Sequence, residues 1–416
     1  MAPMTLDSTA ALLLKGYAWL PDRRRRNGGA PVRTRLLGRP AVALHGPDAV
    51  RFFYDEEHVR RHDALPGPVL DTLFGRGAVH TLDGEDHRAR KALFLTELTG
   101  PAAVAELVDM VRAEWQRAFA PPHGRHTVLF DEAALVLARA VCAWTGLPLT
   151  DEQIRIMARD CVAMVDGFAT PGPRHLRARR ARARQEEVLA DLVEETRAGA
   201  TRAPATPFDA IVRHHDADGT VLDPHTAAVE LLNIVRPTVA IAWFVTFAAH
   251  ALHRWPEQRY LLREDDGSYA EPYTETYAEP FAHEVRRFYP FAPFVGGLAA
   301  TDLRLDGADI PAGTLVLLDV YGQNHDPALF EDPYRFDPER FLRRPPHRDE
   351  LIPQGGGDAK SGHRCPGEDI TVAVLAALST ELARLDYTVP EQDLRIPLHR
   401  VPTRPRSGFL IVPHPA

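Results

Sequence analysis

Apolar residues along this chain recur mainly at three- and four-residue intervals. That spacing predicts helices over residues 86–120, 131–168, 174–199, 224–253, 276–289 and 366–386. Strand-like stretches are short and lie toward the ends: residues 35–44 around Gly38, residues 298–305, residues 314–319, and a tail over 387–412. The pattern is that of a mainly α protein with small peripheral sheets. No period of about 20 to 50 residues repeats, and no glycine-rich nucleotide loop follows a strand, which sets aside solenoids and Rossmann or P-loop enzymes.

The segment from Val229 to Leu252 is long and apolar enough to resemble a membrane span, yet Arg236 and Pro237 interrupt it. An arginine at the centre of a bilayer costs at least ~2.5 kcal/mol on insertion scales, so a buried central helix is the better reading. A buried arginine needs an anion, because an unpaired one typically costs about 3 to 5 kcal/mol. Its helical neighbours Leu232, Asn233, Val239 and Ala240 offer none, and Glu230 projects from another face. The partner is either remote in sequence or a ligand.

Composition narrows the class. The chain has 416 residues, 45% hydrophobic and 25% charged, ordinary values that exclude a disordered, fibrous or membrane-embedded protein. Its net charge of -8 disfavours nucleic acid or an anionic bilayer as partner of the whole surface. Six arginines fall between Arg174 and Arg184, but Glu186, Glu187, Glu194 and Glu195 follow, and the stretch reads as a solvated face without a function. Cys142, Cys161 and Cys365 form no disulfide framework or zinc spacing, which fits a reducing cytoplasm. The apolar run Ala10 to Leu14 precedes Arg23 to Arg26, the reverse of a secretory signal, so no targeting segment or membrane anchor is expected.

Cys365 carries the clearest chemistry. Residues 353–369 read as a flexible loop delivering it to the start of an apolar helix, with Pro366 suited to the first turn. The helix dipole, His363 and Arg364 would bias the thiol toward thiolate, the form that ligates metals. Gly355, Gly356, Gly357, Gly362 and Gly367 would let the backbone pass close to a flat, bulky group such as haem. A buried free cysteine is the plainer alternative.

Three motifs in order then resemble the haem-thiolate cytochrome P-450 superfamily: Cys365 with His363 and Gly367, Glu284-Val285-Arg286-Arg287 upstream, and Pro338-Glu339-Arg340-Phe341 between them. The resemblance implies one cytochrome P-450 domain over 1–416, a helical core around a buried haem b with β-rich portions near 34–46, 294–319 and 387–412. It implies Cys365 as the axial thiolate, Glu284, Arg287 and Arg340 as a structural cluster, and His87 and Lys91 as partners of the haem propionates, with Arg61 and His363 as further candidates. One departure marks a branch: Asp358 stands where the family loop usually begins with phenylalanine.

The segment around Arg236 then falls on the helix that crosses the haem's distal face. Most members place an acid and an alcohol there to deliver protons. Arg236-Pro237, with Thr238 a position late, instead resembles the bacterial fatty-acid peroxygenase branch, in which hydrogen peroxide replaces dioxygen, reductase and reduced nicotinamide. Residues 73–84 resemble that branch's carboxylate-lining loop, with Phe74 and His80 flanking the head group. A histidine at this position resembles the alkene-forming members, and its pKa lies in a useful range. The implied activity is oxidation of long-chain fatty acids at Cα and Cβ, giving 2- or 3-hydroxy acids, or terminal alkenes and carbon dioxide, with no obligatory redox partner. The rivals are a reductase-dependent monooxygenase, an isomerase of lipid hydroperoxides, and a haem-binding sensor.

Overall fold

The long periodicities resolve into more and shorter helices than their spacing predicts, in a computed structural model that describes residues 7–120, 124–168, 170–199, 206–264 and 277–414. The first predicted helix divides into Gly84–Leu98 and Pro101–Ala118. Pro101 cannot continue a helix but suits a first turn, so the chain stops and restarts there. The second divides into Leu129–Thr145 and Asp151–Gly167. Gly146 ends the former at φ 76°, and Thr150 opens the latter through a reciprocal cap with Gln153. Pro173–Gly199, Ala278–Phe288 and Glu368–Arg384 lie close to their predicted spans. The short helices Trp19–Arg26 and Pro47–Tyr54 were not predicted.

The apolar segment forms one helix, Pro224–Arg254, capped by Asp223, whose carboxylate accepts the Thr226 N–H at 3.0 Å. It packs against the Leu129–Thr145, Pro173–Gly199 and Glu368–Arg384 helices. Among the described residues it is the one helix long and apolar enough to cross a membrane, and 94% of its most apolar window lies inside the molecule. A helix apolar on every side belongs at the centre of a core, and here it supplies residues from Ala227 to Leu252 to the main hydrophobic cluster.

The principal sheet is built from β1 (Val32–Leu36), β2 (Arg39–Leu44), β3 (Val59–Arg60), β4 (Phe294–Ala299) and β5 (Leu315–Asp319), in the order β1-β2-β5-β4-β3. Leu37 and Gly38 both have positive φ, 51° and 77°, and close the β1–β2 hairpin. β2 runs parallel to β5, with Ala41 opposite Leu315. The predicted strand over 298–305 is two pieces, since β4 ends at Ala299 and Leu303–Leu305 pairs separately with Ala308–Ile310. The tail is largely irregular: only Tyr387–Thr388 and Leu410–Pro413 pair.

Candidate active site

Arg236 and Pro237 lie midway along the central helix. Pro237 has no N–H, so the Asn233 carbonyl loses its usual helical donor. Arg236 is 7% exposed. Its Nη2 donates to Asn233 Oδ1 at 3.0 Å, and its Cζ stands 5.8 Å from the centre of the Phe74 ring. Its Nε has no hydrogen-bond partner, and no acid among the described residues pairs with the guanidinium. Burial, reinforced by the nearby Arg182 cation, pulls its pKa down to about 9, so the charge survives at neutral pH under strain. Of the two partners left open by the sequence, the remote acid is missing among these residues. Thr238, one position late for the usual alcohol, donates its hydroxyl to the Ile234 carbonyl at 2.9 Å.

The loop beside this cation begins with a single wide turn, Leu70–Phe74, that ends at Gly75 with φ 87°. A Cβ on Gly75 would run into Arg182 and Val229, so the close approach requires glycine. Phe74 and His80 face one another with ring centres 4.5 Å apart. His80 Nδ1 is buried without a partner. Burial first, and then Arg236, hold this imidazole well below its ordinary 6.5, which makes it neutral at pH 7 and corrects the expectation of a titrating histidine. Arg182 is a second correction. Counted with the solvated arginines, it is 1% exposed, paired with Glu186 and donating to the Leu73 carbonyl at 2.7 Å.

Cys365 lies ahead of the helix that starts at Glu368, so Pro366 precedes the first turn instead of opening it. The two expected cations are engaged with other side chains. Arg364 binds Glu368 at 2.6 Å, and His363 stacks on His87 with ring centres 3.8 Å apart. Burial, followed by the Glu368 charge, pushes the thiol up, against the expected bias toward thiolate. A metal ion at the sulfur would supply what these side chains do not. The glycine reading is corrected in part: a Cβ on Gly355 or Gly357 would meet Tyr54, and one on Gly356 would meet Val50. Those three glycines seat the loop on the Pro47–Tyr54 helix, leaving only Gly367 open.

Arg61, His87, Lys91 and His363 gather beside the loop. Arg61 is buried with Nη1 partnerless, and a Cβ on Gly297 of β4 would occupy its place. His87 Nδ1 and His363 Nε2 also lack hydrogen bonds, with Glu56 3.7 Å and Asp83 3.5 Å away respectively. Burial lowers the two histidines to about 3 and about 4. Lys91 donates to the carbonyls of Gly362 and Arg364, and burial brings it down to about 8. A thiol beside three partnerless buried nitrogens fits a haem, whose iron takes a thiolate and whose carboxylates take such donors.

Farther down, Arg287 makes two 2.7 Å bonds to Glu284, and Arg340 Nε lies 3.2 Å from the same carboxylate. Sequence reasoning missed Gln354, which lies inside the quoted loop. Its carbonyl accepts the Cys365 N–H at 3.3 Å, its Nε2 approaches the sulfur at 3.7 Å, and its Oε1 accepts from Arg286 at 3.1 Å. The signal was a polar residue immediately before three glycines. Asn233 was passed over as uncharged although it lies i, i+3 from Arg236.

Residues 274–412 match the cytochrome P450 family profile. The solved structure of cytochrome P450SP alpha (CYP152B1) in complex with (R)-ibuprophen is 39% identical, covering 98% of this chain and 99% of its own, with a TM-score of 0.91. Cytochrome P450EX alpha (CYP152N1) with myristic acid is 35% identical, covering 99% of each chain, also with a TM-score of 0.91. A curated relative, cyclooctat-9-en-7-ol 5-monooxygenase of Streptomyces melanosporofaciens, is 26% identical over 87% of this chain and 90% of that protein. The chain therefore belongs to the cytochrome P450 superfamily, oxidoreductases with a haem-thiolate cofactor. Within it the chain falls in the CYP152 branch, the fatty-acid peroxygenase branch that Arg236-Pro237 resembles.

Proposed function

We propose that this cytochrome P450 uses hydrogen peroxide to oxidise long-chain fatty acids at Cα and Cβ, in the cytoplasm, with residues 1–416 acting as one domain around haem b. The observation that carries the reading is the buried Arg236 guanidinium, which has no acid among the described residues and an unused Nε. Myristic acid in P450EX alpha supports the same substrate class. Cys365 would hold the iron, and Arg61, His87, Lys91 and His363 the propionates. The bound haem supplies oxidation by peroxide.

The chain's own residues do the rest. Arg236 binds the substrate carboxylate, where each charged hydrogen bond contributes ~1.5 to 3 kcal/mol and each buried methylene ~0.8 kcal/mol. Phe74 and His80 flank that head group, His80 as a neutral hydrogen-bonding ring. Arg236-Pro237 stands where an acid and alcohol would relay protons, and the Thr238 hydroxyl is turned to the Ile234 carbonyl, so the carboxylate itself takes a proton from peroxide at one oxygen and returns it to the departing oxygen. Anchoring the head fixes which carbons reach the oxidant, Cα and Cβ, and yields hydroxy acids or an alkene with carbon dioxide.

Holoprotein given a saturated long-chain acid and peroxide, with no reductase, is expected to form hydroxy acids or alkenes detectable by mass spectrometry. Turnover that demands a reductase and reduced nicotinamide overturns the reading.

A further inference from the structure

The loop bearing Phe74 and His80 is held by its backbone, from three helices. Arg182 donates to the Leu73 carbonyl at 2.7 Å, Asn233 Nδ2 to the Phe74 carbonyl at 3.1 Å, and Arg90 to the Gly77 carbonyl at 3.2 Å. The Val79 N–H donates to Glu230 Oε1 at 2.8 Å. Glu230 is fully buried, and both its oxygens are engaged. Oε1 also accepts from Arg90 Nη1 at 2.7 Å, and Oε2 accepts from Asn233 Nδ2 at 3.1 Å. Asn233 Oδ1 in turn accepts from Arg236.

The polarity of this chain follows from what each group can do. A carboxylate only accepts and a guanidinium only donates, so an amide between them makes both bonds in one orientation. Glu230 takes the NH2 end of Asn233, which leaves the oxygen for Arg236. Its negative charge is meanwhile matched by Arg90, itself paired with Asp216 at 2.6 Å, so Glu230 does not neutralise the cation one amide away.

We propose that Glu230 is a positioning residue for the substrate carboxylate. Through Asn233 it aims the Arg236 guanidinium, and through the Val79 N–H it holds His80 and Phe74. One buried anion thus sets the spacing between the two halves of the head-group site without touching substrate. The inference rests on Arg236 binding that carboxylate.

The test is a titration of holoprotein, followed by haem absorbance, with a saturated long-chain acid and with the primary alcohol of equal length. In Glu230→Gln an NH2 replaces one acceptor, the Asn233 amide turns, and a donor faces the guanidinium. Affinity for the acid is expected to fall about tenfold or more, while affinity for the alcohol moves less than about twofold. Glu230→Asp, which only accepts, is expected to keep more of the acid preference than Glu230→Gln. Should the glutamine variant fail to hold haem, Asn233→Ala removes the same joint and is expected to show the same selective loss.

Acid affinity within about twofold of wild type, equal weakening for acid and alcohol, or an aspartate variant no better than the glutamine one overturns the proposal. If wild type does not prefer acid to alcohol, or Arg236→Ala keeps that preference, the fatty-acid reading itself fails. The two failures are therefore separable.

Discussion

Arg287 and Arg236 are both buried arginines on core helices, and they are satisfied in opposite ways. Arg287 is 0% exposed, with Nε and Nη2 on Glu284 and Nη1 on the carbonyls of Asn324 and Pro333. Arg236 has one amide oxygen, an unused Nε and the cation Arg182 nearby. Burial is common to both, so burial does not mark a ligand site. The missing acid does: a guanidinium held against its own desolvation cost gains most when an anion arrives from outside.

The sharpest way to break this contrast is Glu284→Ala, which strands Arg287 and Arg340. Holoprotein stability in a denaturant titration is expected to fall by about 3 to 5 kcal/mol. A loss under about 1 kcal/mol would remove the structural half of the comparison. Arg236→Leu is expected to behave conversely, with stability within about 1 kcal/mol of wild type or higher, because no acid is left behind. Acid affinity in spectral titration should drop roughly tenfold to hundredfold in that variant.

The pH dependence refines the same point. Burial and the Arg182 cation lower the Arg236 pKa but leave the guanidinium charged, so acid affinity is expected to stay level across the neutral range, with any fall on either side traced to another group. No step is expected near 6.5, since burial and Arg236 keep His80 neutral there. The smallest effect is that of His80→Gln, one neutral hydrogen-bonding side chain for another. Acid affinity should change less than about threefold while the alkene-to-hydroxy-acid ratio falls by mass spectrometry. An unchanged ratio would leave His80 as a wall of the site.

What the sequence disclosed was local or categorical. A cysteine in a Gly-rich loop, Glu-x-x-Arg at helical spacing, and a cation inside an apolar helix announce themselves within a few residues. The hidden parts join distant positions. Arg90 meets Glu230, and Gln354 meets Arg286, through hydrogen bonds that no periodicity encodes. The helix breaks at Gly100-Pro101 and Gly146 were obscured because apolar spacing continues across them. His80 and Cys365 were placed on the loops expected, but their protonation depends on burial and on charges from other elements, which a linear reading does not reach.

The parallel pairing of β2 with β5 has a consequence for biosynthesis. The strand Arg39–Leu44 leaves the ribosome long before its parallel neighbour Leu315–Asp319. Until that neighbour emerges, a row of amides and apolar side chains on the nascent chain has no mate, the condition that favours chaperone engagement and off-pathway association. Slowing translation between the two strands should therefore lower the yield of soluble polypeptide more than an equal pause placed after residue 319.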